Sequence, residues 1–106
     1  MPFKKLCKPV ACAGGLTLSV QASVTHYCEP RNDVGPYTQV EVGFPSERVE
    51  ALMLYKDGEV TEDPTDTVYS YVPIQVVLDV IEANGGQVDG ELPPIAKEPS
   101  CLTQLN

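Results

Sequence analysis

Tryptophan is absent from this chain, histidine occurs once and arginine twice. Without tryptophan, the core has to be assembled from valine, leucine, isoleucine and some of the five tyrosines. One histidine rules out the His-Glu-x-x-His pair of a zinc hydrolase, and neither Gly-x-Ser-x-Gly nor a phosphate-cradling glycine loop occurs. No apolar run approaches the roughly 18 residues that span a bilayer, so no membrane partner is expected. Basic residues are scarce too: seven Lys and Arg face fifteen Asp and Glu, for a net charge of −8. Direct nucleic-acid binding draws on a basic stripe and counterion release, which this balance does not supply.

The 106 residues suffice for a single domain with one core, and a 42% apolar fraction is that of a globular protein. Residues 1–15 end in Gly14-Gly15 and read as a flexible lead-in, and residues 95–106 as a polar tail. Four cysteines, at 7, 12, 28 and 101, are too sparse for a stapled secreted scaffold. Lys4, Lys5 and Ala11-Cys12-Ala13 imitate a signal peptide, but Lys8 and Pro9 interrupt the apolar stretch that one requires. The expectation is therefore no export signal, a reducing compartment and free thiols.

The pattern LTLSVQASV, from Leu16 to Val24, alternates apolar and polar side chains strictly and predicts a strand with one buried face. A second strand is predicted over Tyr37–Phe44, with Val40, Val42 and Phe44 on one side. Ser46 can cap a short helix reaching about Tyr55, in which Val49, Leu52 and Met53 share a face. The competing reading there is a hairpin turning at Asp57-Gly58. TVYSYV, from Thr67 to Val72, predicts a strand that places Tyr69 and Tyr71 on one face. Pro73 suits the first position of a helix carrying Ile74, Val77, Leu78 and Ile81, and Asn84-Gly85-Gly86 supplies its C-cap. A short extended piece is expected around Val88. The order of elements predicts an α+β domain: an antiparallel β-sheet with one or two short helices on one face.

The densest stretch is HYCEPRNDVGPY, His26 to Tyr37, where directional hydrogen-bonding groups crowd a backbone stiffened by Pro30 and Pro36. It reads as a recognition loop. Cys7-x4-Cys12 with His26-x-Cys28 offers four soft ligands, yet the spacings are not those of zinc knuckles, and neither a metal nor a cofactor is expected. Cys28 beside His26 is a thin basis for nucleophile chemistry, because catalytic pairs converge from distant parts of a chain. No enzyme is expected.

Small-molecule recognition fits better. Tyr27, Tyr37, Phe44, Tyr69 and Tyr71 are flat surfaces on which a base can stack. Arg31 and Arg48 carry the guanidinium fork that grips phosphate. His26, Asn32, Gln39 and Ser46 can contribute hydrogen bonds. Against this, strand tyrosines also fill cores, and both arginines have Glu29, Glu47 or Glu50 close in sequence. A separate feature lies between Asp57 and Glu91, where nine carboxylates occur without a Lys or Arg. That stretch is either a solvated face or a nucleic-acid mimic steered into a basic groove.

The blocks LTLSVQAS, HYCEPRNDVGPY, EVGFPSE and DTVYSYVP resemble small proteins of tailed bacteriophages. Within that set, the plan is similar to phage anti-defence signal sponges of the Thoeris-inhibiting type. The resemblance implies a phage-encoded, non-enzymatic protein of the host cytoplasm. It would sequester a cyclic ADP-ribose-type or cyclic nucleotide immune signal between the subunits of a homo-oligomer. The expected partners are then a small nucleotide-derived ligand and a second copy of the chain. The rivals are an acidic, anti-CRISPR-like protein that blocks a host defence nuclease, and a minor structural protein of the phage particle.

Overall fold

A computed structural model describes residues 6–56 and 63–96. Five strands, β1 (Val10–Cys12), β2 (Thr17–Gln21), β3 (Gln39–Gly43), β4 (Val68–Pro73) and β5 (Gln87–Asp89), form one sheet in the order β4-β3-β2-β1-β5. All neighbours are antiparallel. A 3-10 helix, Glu50–Tyr55, lies between β3 and β4, and an α-helix, α1 (Ile74–Ala83), follows β4. The fold is α+β. Among the described residues no helix is long and apolar enough to cross a membrane.

The alternation read in β2 and β3 decides which face is buried. Leu18, Val20, Val40 and Val42 are fully or almost fully buried, while Ser19, Gln21 and Glu41 point to the other side and are half-buried. Val20 pairs with Val42 and Gln21 with Glu41, so the two strands build one apolar and one polar face. α1 contributes Ile74, Val77, Val80 and Ile81 to the same core. It carries the chain from one edge strand, β4, to the other, β5.

The C-terminus of α1 ends as its glycines predict. Gly86 N–H donates to the Ile81 carbonyl at 2.9 Å and Gly85 N–H to that of Glu82 at 3.1 Å, with both glycines at positive φ. This is the paired pattern that closes a helix on a left-handed glycine. The cap then docks on the β1–β2 turn, where Ala13 and Gly14 donate to the Gly86 and Asn84 carbonyls.

Four expectations need correction. Val10–Cys12 of the supposed lead-in is a strand held on both sides by β2 and β5, with Val10 and Cys12 buried in it and Cys7 buried just before it. Residues 1–5 lie outside the described residues, as do the Asp57-Gly58 pair and residues 97–106 of the expected tail. The helix after Pro45 is 3-10 and starts only at Glu50, because Ser46 is otherwise engaged. Its Oγ accepts from Thr17 N–H, and its own N–H donates to the Thr17 carbonyl, which keeps it aligned with β2. Tyr69 and Tyr71 do not share a face. Opposite Glu41 the register shifts, so that Val42 faces Tyr69 and Val40 faces Val72, and the extra β4 residue turns Tyr71 outward. Phe44 leaves the apolar side as well, since its φ of 51° rotates it out of the strand and exposes it.

Two glycines separate conformational strain from collision. Gly86 has open space where a Cβ would stand, so Gly86→Ala meets only the left-handed penalty and should cost about 1 kcal/mol. At Gly90 the same methyl would run into the Pro9 carbonyl and the Val10 Cα, backbone that β1 cannot yield. Gly90→Ala should lose more than about 2 kcal/mol in urea denaturation; equal losses in the two variants would contradict this account of the β1–β5 pairing.

Candidate functional site

The connection from β2 to β3 contains the predicted recognition loop, and much of its polar chemistry is spent on its own fold. Asn32 Oδ1 accepts from the N–H groups of Val34 and Gly35 at 3.0 and 2.9 Å, an Asx turn. Asp33 accepts from Val24 N–H at 2.9 Å. The Cys28 thiol is buried and donates to the Ser23 and Pro30 carbonyls. The peptide bonds preceding Pro30 and Pro36 are both cis. Tyr37 is fully buried, and its hydroxyl donates to the Asn32 carbonyl at 2.6 Å. Its backbone also holds the chain at residues 94–96, through bonds to the Pro94 carbonyl and from Ala96 N–H.

Two more predicted site residues serve the fold. Tyr69 is fully buried, with its hydroxyl donating to the Pro64 carbonyl at 2.6 Å. Arg48 is tied to Glu50 in an ion pair, which holds the Glu50 carboxyl below and the Arg48 guanidinium above its ordinary range. Asn32, Tyr37, Tyr69 and Arg48 therefore meet local structural demands, and Gln39 sits within β3.

The remaining predicted residues gather on the polar side of the sheet. Tyr27 and Tyr71 are 44% and 41% exposed, with ring centroids 6.0 Å apart and planes tilted by 47°. Such offset, tilted contacts suit the ring quadrupoles. The Arg31 guanidinium carbon stands 5.5 Å from the Tyr27 centroid. Arg31 Nε donates to the Val24 carbonyl at 3.1 Å, which anchors an otherwise exposed side chain. Tyr71 N–H donates to the Tyr27 carbonyl, joining the loop to β4 at the bulge.

Next to this pair lies a shallow concavity of about 210 Å³, lined in part by His26, Glu41, Phe44, Val68 and Gln21. Glu41 connects the two features, because its Oε1 accepts from Tyr27 N–H at 3.1 Å. His26 Nδ1 is 2.7 Å from Ser23 Oγ. Gln21 is committed to structure, exchanging hydrogen bonds with the backbone of Cys7 through both ends of its amide. Glu41 and the concavity floor were not singled out in the sequence. Their signal lies in the polar half of the β2 and β3 alternation.

Phe44 and Tyr71 are the two non-glycine residues at positive φ among those described, at 51° and 52°. Both are aromatic and exposed, Phe44 at 55%. A bulky side chain in the left-handed region costs roughly 1 kcal/mol or more, which glycine or asparagine would largely avoid.

Metal and nucleophile chemistry gain nothing from this arrangement. Among the described residues no group of three or more His, Cys, Asp or Glu can hold a metal ion. Burial raises the Cys28 thiol above its ordinary value of 9.0, so it stays protonated at neutral pH. Of the acidic stretch, Asp57, Glu59 and Glu62 lie outside the described residues. Asp63 bonds the backbone and hydroxyl of Thr65, while Asp89 pairs with Lys8. No protein-family model matches the chain, nor does any curated protein or solved structure.

Burial raises Cys12 and Cys28 from 9.0, and Tyr37 and Tyr69 from 10.0. The unfolded chain releases these protons first, so their contribution to stability is complete below pH 9 and is lost as pH rises through the folded values. Urea midpoints measured from neutral pH upward should fall above pH 9. A midpoint that holds constant to pH 11 would contradict the burial of these groups.

Proposed function

We propose that this protein binds a small, nucleotide-derived ligand on the polar face of its sheet and does not turn it over. The observation that carries this reading is the pair of exposed aromatic side chains at strained backbone positions, Phe44 beside the concavity and Tyr71 against Tyr27, whose ring also meets the Arg31 guanidinium. Folding alone does not account for Phe44 and Tyr71 as aromatics at positive φ with their rings in water. Stability given up at a surface position is the usual signature of a site retained for function.

The chemistry of the group fits a nucleotide. Flat rings accept a base through stacking at about 1–3 kcal/mol per base, with little dependence on its identity. Arg31, anchored through Nε, offers its terminal N–H groups to an anion, and its position over Tyr27 keeps the fork in one orientation. His26 adds a ring nitrogen at the edge of the concavity. In the setting that the resemblance to phage sponges implies, binding without turnover would lower the free concentration of a cyclic nucleotide-type immune signal.

A thermal-shift screen against cyclic ADP-ribose isomers, cyclic oligonucleotides and mononucleotides tests the reading. A ligand at a hundred times its Kd should stabilise by about 2.7 kcal/mol and be recovered intact. Arg31→Ala should weaken that ligand at least about tenfold, the range of a charge-assisted hydrogen bond. Tyr71→Asn should abolish the shift while leaving the ligand-free melting point unchanged or higher, since asparagine tolerates positive φ. A large loss of stability in Tyr71→Asn would instead make the residue part of the scaffold.

A further inference from the structure

Asparagine followed by glycine, as at Asn84-Gly85, is the pairing most open to deamidation, because glycine leaves its backbone nitrogen free to reach the asparagine side chain. In this fold the atoms that reaction needs are all engaged elsewhere. Asn84 Nδ2 donates to the Val80 carbonyl at 2.8 Å, which holds the side chain back along α1. Gly85 N–H, the attacking group, is spent on the Glu82 carbonyl at 3.1 Å. At a ψ of 22° the Gly85 nitrogen nearly eclipses the nitrogen of Asn84, and so is turned away from its Cβ. The Asn84 carbonyl accepts from Gly14 N–H at 2.8 Å, which ties this peptide to the β1–β2 turn. Asn84 is nonetheless only half-buried and Gly85 is exposed, so water reaches the link.

We propose that Asn84 is a modification site controlled by the C-terminal cap of α1: it deamidates only when the cap opens, and its product keeps the cap from closing as before. In the open state the Gly85 nitrogen attacks Asn84 Cγ. The new C–N bond closes a succinimide ring, and the side-chain amide departs as ammonia with the proton that Gly85 gives up. Water then opens the ring at either carbonyl, leaving aspartate or isoaspartate. Both products lose the donor to the Val80 carbonyl and set a carboxylate in its place, acceptor against acceptor. Both also add a negative charge at the negative end of the helix dipole, in a last turn that holds no basic residue. Isoaspartate further lengthens the backbone by an extra carbon, which displaces Gly85 and Gly86 from the carbonyls they cap. The change is one-way. It falls on the Asn84 and Gly86 carbonyls that hold the β1–β2 turn, and local opening of the helix end sets its rate.

The test is peptide mapping by mass spectrometry, with isoaspartate quantified, on the full chain kept at mildly alkaline pH both natively and in urea above its midpoint. Asn84 should convert at least about tenfold more slowly in the native chain, where the reaction waits on an opening that urea supplies throughout. Gly86→Ala strains the cap without a collision, and should raise the native rate about fivefold while leaving the rate in urea unchanged. Asn84→Asp, the direct product, should melt several degrees below the wild-type chain at neutral pH. Equal rates in the native and unfolded chains, or a native rate that ignores Gly86→Ala, would overturn control by the cap. No conversion under either condition would overturn the site itself, and an unchanged melting point in Asn84→Asp would overturn the effect of its product.

Discussion

The register of β2 on β3 buries Leu18, Val20, Val40 and Val42 together, and the rest of the molecule depends on that register. A slip of one residue would carry Ser19, Gln21 and Glu41 into the core and the valines into water. With the register set, the polar side chains of the two strands line up on the opposite face, Gln21 beside Glu41. β1 and β4 add to the outer edges of this pair, and α1 covers the apolar side. The candidate site stands on the side of the sheet opposite α1.

How much of this was legible follows from the range of each interaction. The alternation in β2 and β3, the spacing in α1 and the Asn84-Gly85-Gly86 cap are local signals, and the structure contains each of them. β1 was not legible, because three residues between Pro9 and Ala13 carry no period of their own. They are a strand by virtue of partners at 17–18 and 87–89. The β4 bulge was missed for a related reason. An extra residue in a strand leaves the sequence pattern of TVYSYV unchanged, yet it sends Tyr69 inward and Tyr71 outward. The extent of the Ser46 helix depended on a bond from Thr17, distant in the chain.

The site divides along the same line. Composition marked the 26–37 loop as rich in hydrogen-bonding groups, but only the structure separates those that fold the loop from those left facing water. Asn32, Asp33, Cys28 and Tyr37 spend their capacity internally. Their bonds fold the segment that carries Tyr27 and Arg31, so under the proposed function the loop is both scaffold and binding surface. Preorganised rings and an anchored guanidinium lose little freedom on binding, which is how a shallow surface can still hold a small ligand.

The central claim is that the polar face of the sheet, not the helix side or the acidic loops, receives the ligand. The most direct measurement is an NMR titration that follows the tyrosine ring and arginine side-chain signals as a bound nucleotide is added. Tyr27, Tyr71 and the Arg31 guanidinium should shift together and saturate at one ligand per site, while the buried rings of Tyr37 and Tyr69 stay in place. Shifts confined to α1 or to the acidic segments, with the Tyr27–Tyr71 pair silent, would contradict it.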